Sequence, residues 1–299
     1  MTTSVRRFFR PAVELGTGDG TIQNLDGDGL RFSWRVRRDN TPKADEGQIS
    51  IWNLSPSLRG SIYESWAALS GASGYLVTFS LGWDGNPELV ISGDVWDLIP
   101  DRRTPTDVET IFSLGDGNQA LRDSTLTKNF ADIKISALLN WILGIPADSS
   151  DAGGGGLGLI FPKESRDLVD QAVAETSLQT LSVPPGSSTR DSVDLIMETI
   201  GLEWRVSNGE FIALRGGIVN RPGEILRPGT GLISFERRSD SGVSLTGLAN
   251  PRIVPGLQIQ VQDDAGEPFA EPLYRVESVD FRGDSDGQSL MQVEGRRSI

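Results

Sequence analysis

Histidine and cysteine are both absent from the 299 residues. Their absence removes Ser-His-Asp triads, thiolate nucleophiles, imidazole bases and every Cys/His zinc arrangement. It also removes disulfides, so buried surface has to hold the fold. Carboxylates, Lys, Tyr, Ser and Thr remain for chemistry, and an enzyme would have to use paired acids or a hard-metal site. Long apolar runs are missing too. None approaches the roughly 20 residues that span a bilayer, so no membrane insertion is expected. The opening "MTTSVRRFFRPAVEL" is basic, but Arg10 and Pro11 interrupt it before the apolar stretch of a signal peptide forms. This points to the cytoplasm, or to a particle assembled there.

The chain is 37% hydrophobic and 23% charged, as suits a globular protein, and its length allows about two domains. Its formal net charge is −13. Nucleic acid is bound by Lys and Arg displacing counterions, so such a surface does not favour phosphate binding. It fits ordinary solubility, or a surface past which a polyanion slides without sticking.

Residues 1–117 read as β. In "LRFSWRVR" Leu30, Phe32, Trp34 and Val36 alternate with polar residues, the pattern of a half-buried antiparallel strand. "GYLVTFSLGW", "ELVISGDVWDLI" and "DVETIFSLG" continue as short strands with turns between them, which suggests a small barrel or sandwich.

Residues 118–229 change character. Leu138, Leu139, Ile142 and Leu143 form a helical stripe, and Leu168, Ala172, Val173 and Leu181 are read as a second. A third helix has Ser188 with Asp191 as a capping box, Val193, Ile196, Met197 and Ile200 as its stripe, and Gly201 as its stop. Between the first two lies a glycine-rich surface loop, 149–158. Asn208-Gly209 then predicts a type I′ hairpin turn. Residues 230–299 return to β. "PLYRVESVDFRGDSDGQSLMQVEG" repeats the strand, polar turn and returning strand of "ELVISGDVWDLIPDRRTPTDVETIFSLG", so a duplicated β-domain is one reading of the chain. The fold class expected is mixed β: two antiparallel β-barrel or sandwich domains with a central α+β portion.

Three motifs invite a chemical reading. Gly115-Asp116-Gly117 with Ala120 fits a loose dinucleotide fingerprint, but Asp116 would set a negative charge beside the phosphates and no parallel βαβ series surrounds it. A strand-to-helix turn with Asp116 or Asn118 near a cap explains it better. Asn24, Asp26, Asp28 and Gly29 align with the start of a calcium loop, yet Arg35 stands where the bidentate Glu belongs. A solvated turn is the simpler account. The basic cluster "RRFFR" at 6–10 suits a solvated terminus or an arm that docks on a partner. No catalytic residue, cofactor or metal site is expected.

The segment "GQISIWNLSPSLRGSIYESW" carries the chain's most specific pattern. Ile49, Ile51 and Trp52 end a strand, Asn53-Leu54-Ser55 breaks it, and a short helix follows. Ser55 caps, Pro56 takes the first helical position, and Leu58, Ile62 and Trp66 share one face. Gly60 weakens this helix by about 1 kcal/mol relative to Ala. The helix either plugs the core of its own subunit or packs beneath a neighbour.

This element, with Arg59 and Ile62 at its helix start, resembles the baseplate hub family of contractile phage tails. The likeness continues in order through "GDGLRFSWRV", "GYLVTFSLGW", "ELVISGDVWDL", "VETIFSLGDGNQAL" and "GLEWRVSNGEFIAL". It closes with "GVSLTGLANPRIVPGLQIQV" and "PLYRVESVDFRGDS", including Asn250-Pro251-Arg252 and Pro255-Gly256. The glycine-rich "SSDAGGGG" has no place in the family pattern. The resemblance implies two tail-tube-like β-domains, a homotrimer forming a pseudo-hexameric ring, and a place in the virion's tail baseplate. The implied partners are a tail tube or tube-adaptor protein, a central spike protein and other baseplate proteins. DNA would pass through the lumen without sequence-specific binding. Other expectations compatible with the sequence are a distal tail or tube-terminating subunit, and a carboxylate-dependent cell-wall hydrolase.

Overall fold

The computed structural model describes residues 9–16, 22–26, 30–41, 45–69, 75–83, 86–102, 107–116, 125–126, 129–144, 159–176, 180–216, 223–238, 242–263, 265–266 and 273–297. The glycine-rich loop and Gly117, Ala120, Asp28 and Gly29 of the two motifs lie outside them, as does most of the 6–10 cluster.

The first region contributes β1 (Phe9–Gly16), β2 (Ile22–Asp26), β3 (Arg31–Asp39) and β4 (Glu46–Trp52). After α1 (Pro56–Leu69) come β5 (Leu76–Trp83), β6 (Asn86–Arg102) and β7 (Val108–Gly115). The middle holds β8 (Phe130–Lys134), α2 (Ile135–Leu143), α3 (Lys163–Glu175), β9 (Thr180–Val183) and α4 (Thr189–Thr199). The hairpin β10 (Leu202–Ser207) and β11 (Glu210–Arg215) follows. The last region adds β12 (Glu224–Leu226), β13 (Leu232–Arg237), β14 (Gly242–Leu248) and β15 (Gln258–Val261). It ends with β16 (Tyr274–Asp284) and β17 (Leu290–Arg297).

The two sequence-remote β regions join in one 13-stranded sheet of order β13-β14-β17-β16-β3-β4-β7-β6-β5-β1-β2, from which β15 and β12 branch beside β16. The seam is β3 against β16, antiparallel, with Val36 opposite Phe281. The alternation read in "LRFSWRVR" holds: Phe32, Trp34 and Val36 are buried, and Arg31, Arg35 and Arg37 face solvent. The sheet curls into a half-barrel. Trp34 of β3 meets Phe79 of β5 with ring centroids 5.4 Å apart, although three strands separate β3 from β5 in the sheet. Curling brings them together. Bulges at Phe79/Ser80, Val95/Asp97 and Val276/Ser278 supply local bending and twist.

The apolar face of both regions forms one cluster, from Val13 and Leu15 of β1 to Met291 and Val293 of β17. Helix α1 lies over it as its spacing predicts. Ile62 is buried, Leu58 and Trp66 pack against the cluster, and the Trp66 indole N–H donates to the Val95 carbonyl at 3.1 Å. Ser55 Oγ accepts from the Leu58 N–H at 3.2 Å. Asn53 makes the break before the helix because its short amide side chain tolerates a left-handed backbone, here φ 58°. Its side chain accepts from the Val108 N–H at 3.1 Å, tying the turn to β7.

The middle portion has its own core. Ile135, Leu138, Leu139 and Ile142 of α2 pack with Val193, Ile196 and Met197 of α4 against Trp204 and Phe211 of the hairpin. Of the expected capping box at α4 the Ser188 half forms, its side chain accepting from the Asp191 N–H, and Gly201 follows the helix end with φ 68°. Helix α3 is shorter than the stripe read from the sequence. It ends at Glu175, so Leu181 lies on β9, which pairs with β8 instead. The apolar spacing ran on across a boundary at Thr176, where the backbone turns extended.

Candidate functional site

The hairpin tip is where the middle portion grips the sheet. Asn208 and Gly209 have φ of 55° and 74°, the left-handed pair of a type I′ turn. Three polar groups of Ser207-Asn208-Gly209 bond to the sheet or to residues at its strand ends. The Gly209 N–H donates to Asp116 Oδ1 at 2.7 Å, and Asn208 Oδ1 accepts from the Ser92 N–H at 3.0 Å. Ser207 Oγ accepts from Arg38 Nη2 at 2.6 Å and donates to Asp45 Oδ2 at 3.1 Å.

Beneath the tip is a buried ion pair. Arg38 Nε lies 3.2 Å from Asp45 Oδ2, and their side chains are 4% and 1% exposed. Asp45 Oδ1 also accepts from the Asp39 N–H, and its carbonyl accepts from the Asp116 N–H at 3.0 Å. Arg38 continues the inward phase of Phe32, Trp34 and Val36. The alternation therefore placed a charged residue inside, a sequence signal of this junction beside the Asn208-Gly209 turn.

Asp116 is 1% exposed, and its Oδ2 has no hydrogen-bond partner among the described residues. Burial pushes its carboxyl up to about 7. The Gly209 N–H and the Arg38 charge oppose that rise, while Asp45 and Asp94 add to it. Asp94 is itself raised by burial.

A second polar link joins the middle portion to the sheet: Arg275 of β16 meets Glu203 of β10 at 2.5 Å. A cleft of about 700 Å³ is lined by Leu168, Ile212, Leu214, Val254, Arg205 and Glu210 among others. The cleft parts α3 and the flank of β11 from the Val254–Leu257 turn of the last β region.

In the Gly115-Asp116-Gly117 motif, Asp116 directly follows the end of β7 at Gly115. It spends an oxygen on the hairpin turn, as a strand-end anchor. Enclosed as they are, Asp45 and Asp116 cannot reach a polymeric substrate. Asn24 and Asp26 fall on β2. No group of three or more acidic side chains placed to hold a metal ion occurs among the described residues. No described helix is long and apolar enough to cross a membrane.

No family model matches the sequence, and no curated protein does. Solved structures do match. A tail protein from Neisseria meningitidis MC58 superposes with TM-score 0.60 at 12% identity, covering 96% of each chain. The 43 kDa tail protein of prophage MuSo2 from Shewanella oneidensis gives TM-score 0.63 at 11% identity, covering 96% of this chain and 98% of the other. The chain has a phage tail-protein fold. The same fold extends to the E. coli c3393 protein, a type VI secretion component with structural similarity to T4 tail proteins gp27 and gp5. That match has TM-score 0.58 at 11% identity and covers 89% of this chain and 73% of the other. In this tail-protein fold the β regions at the two ends of the sequence meet at the β3–β16 seam, and the middle portion is fastened at the hairpin tip.

Proposed function

We propose that this chain is a structural subunit of a phage tail, and within the tail the baseplate hub. The observation that carries the reading is the end-to-end overlap with two tail proteins, which leaves almost no part of either chain unmatched. The likeness to a protein that itself resembles gp27 and gp5 favours the hub over a simple tube subunit. On this reading residues 1–117 and 230–299 are two tube-like units and 118–229 is the portion set between them. Three copies then give six units, a ring that continues the tail tube and holds the spike.

The polar face of the sheet suits a passage for DNA. Arg31, Arg35 and Arg37 stand in a row along β3, and each pairs with a carboxylate: Asp286, Asp280 and Asp39 respectively. Phosphate affinity requires uncompensated Lys or Arg, and this row offers none. Together with the net charge of −13, it makes a surface that DNA passes without holding.

Native mass spectrometry of the chain mixed with the spike protein of its own particle tests the reading. The hub predicts a complex with three copies of this chain on one spike trimer. A one-to-one complex with a monomeric partner, or a sixfold ring of this chain alone, would replace it with a tube-terminating subunit.

A further inference from the structure

We propose that seating the β10–β11 turn on the sheet is coupled to the uptake of one proton by Asp116. The geometry carries this. The turn reaches the sheet through one face of Asp116, whose Oδ1 accepts the Gly209 N–H at 2.7 Å. The other oxygen, Oδ2, is buried with no hydrogen-bond partner among the described residues. An ionised carboxylate needs both oxygens solvated or bonded, whereas a protonated one needs less from its surroundings.

The charged groups around it do not compensate. From the segment before β4 comes Asp45, from β6 comes Asp94, and both carry the same sign as an ionised Asp116. The cation facing it is Arg38 of β3, already engaged with Asp45 Oδ2 and Ser207 Oγ. From the hairpin come the Gly209 N–H and Ser207, and neither titrates. Ser92 donates its N–H to Asn208 rather than to Asp116. Asp116 therefore joins a site that holds two acids against one base.

When the turn lifts away, water reaches Asp116 and the proton leaves to solvent. The seated turn binds one proton more than the lifted turn. Low pH thus closes the joint between sheet and middle portion, and rising pH loosens it without unfolding either core.

Two measurements on the full chain test this. Carboxyl-carbon NMR of selectively labelled aspartate should show one group titrating near 7, lost in Asp116→Asn, while exposed aspartates titrate near the ordinary value of about 4. Amide hydrogen exchange, corrected for its intrinsic pH dependence, should show residues 207–211 opening roughly tenfold more per pH unit between about 5 and 7. In Asp116→Asn that dependence should vanish. A wild-type titration with every aspartate below about 5 overturns the proposal, and it does so even if the variant fails to fold. So does a variant whose turn keeps the wild-type pH dependence.

Discussion

The Gly209 N–H rests on Asp116 Oδ1 at 2.7 Å, joining two residues 93 positions apart in the chain. Each belongs to a short local motif, one a turn after a strand and the other a hairpin turn. Together they form the latch by which a separately packed α+β portion is held to a curled sheet.

The latch gives the protein an unusual pH dependence. Asp116 has an ordinary value of 3.8 and is pushed up to about 7 in the fold. The folded chain therefore holds a proton that the unfolded chain releases. Its contribution is full below about 4, declines through 4 to 7 and is flat above. The span is about 4 kcal/mol. Asp116→Asn keeps the Oδ1 acceptor without the charge. Thermal denaturation should find the variant equal to wild type at low pH and more stable by a few kcal/mol at pH 8. A variant less stable at pH 8 would refute the sign.

The buried Arg38–Asp45 pair makes the opposite kind of prediction. Arg38→Met leaves a carboxylate enclosed without its counter-charge, which costs about 3–5 kcal/mol. Arg38→Met with Asp45→Leu should recover a large part of that loss. Urea denaturation of the two single variants and the double variant measures the coupling. Simple additivity would mean that the pair is not coupled.

Gly60 of α1 offers a clean gain. A Cβ there meets no atom within 4 Å, and the site is helical. Gly60→Ala should raise stability by about 0.5–1 kcal/mol, with the calorimetric midpoint rising accordingly. A loss would place an unseen contact at that position.

Gly93 behaves in the opposite way. A Cβ there would lie 2.7 Å from the Gly115 carbonyl oxygen and 2.8 Å from its carbon, both backbone atoms of the paired strand β7. Gly93→Ala must push β6 from β7 and should cost about 3 kcal/mol or more. Chemical denaturation with unchanged stability would show that the pairing there is loose.

Local physics was legible in the sequence where one side chain or one turn decided the matter. The alternation of Phe32, Trp34 and Val36, the Ser188 cap, the Asn208-Gly209 turn and the face of Ile62 all appear as read. The antiparallel β class with an α+β middle portion was legible for the same reason. What failed was long range. Nothing in "FADIK" announces that it pairs with "TLSV" as β8 with β9, and the stripe from Leu168 ran on to Leu181 for want of that knowledge. The pairing of β3 with β16 joins opposite ends of the chain, and no local period encodes it. The latch was hidden too. Arg38 sat in the inward phase of its strand, but its partners Asp45 and Ser207 lie in a loop and on a distant hairpin.

Electron microscopy of the assembled tail separates a hub from every other position along the tail. A hub gives three copies of this chain in a ring of six tube-like units, between the last tube ring and the spike. Density for six copies in a single ring, or for this chain anywhere off the tail axis, would contradict it.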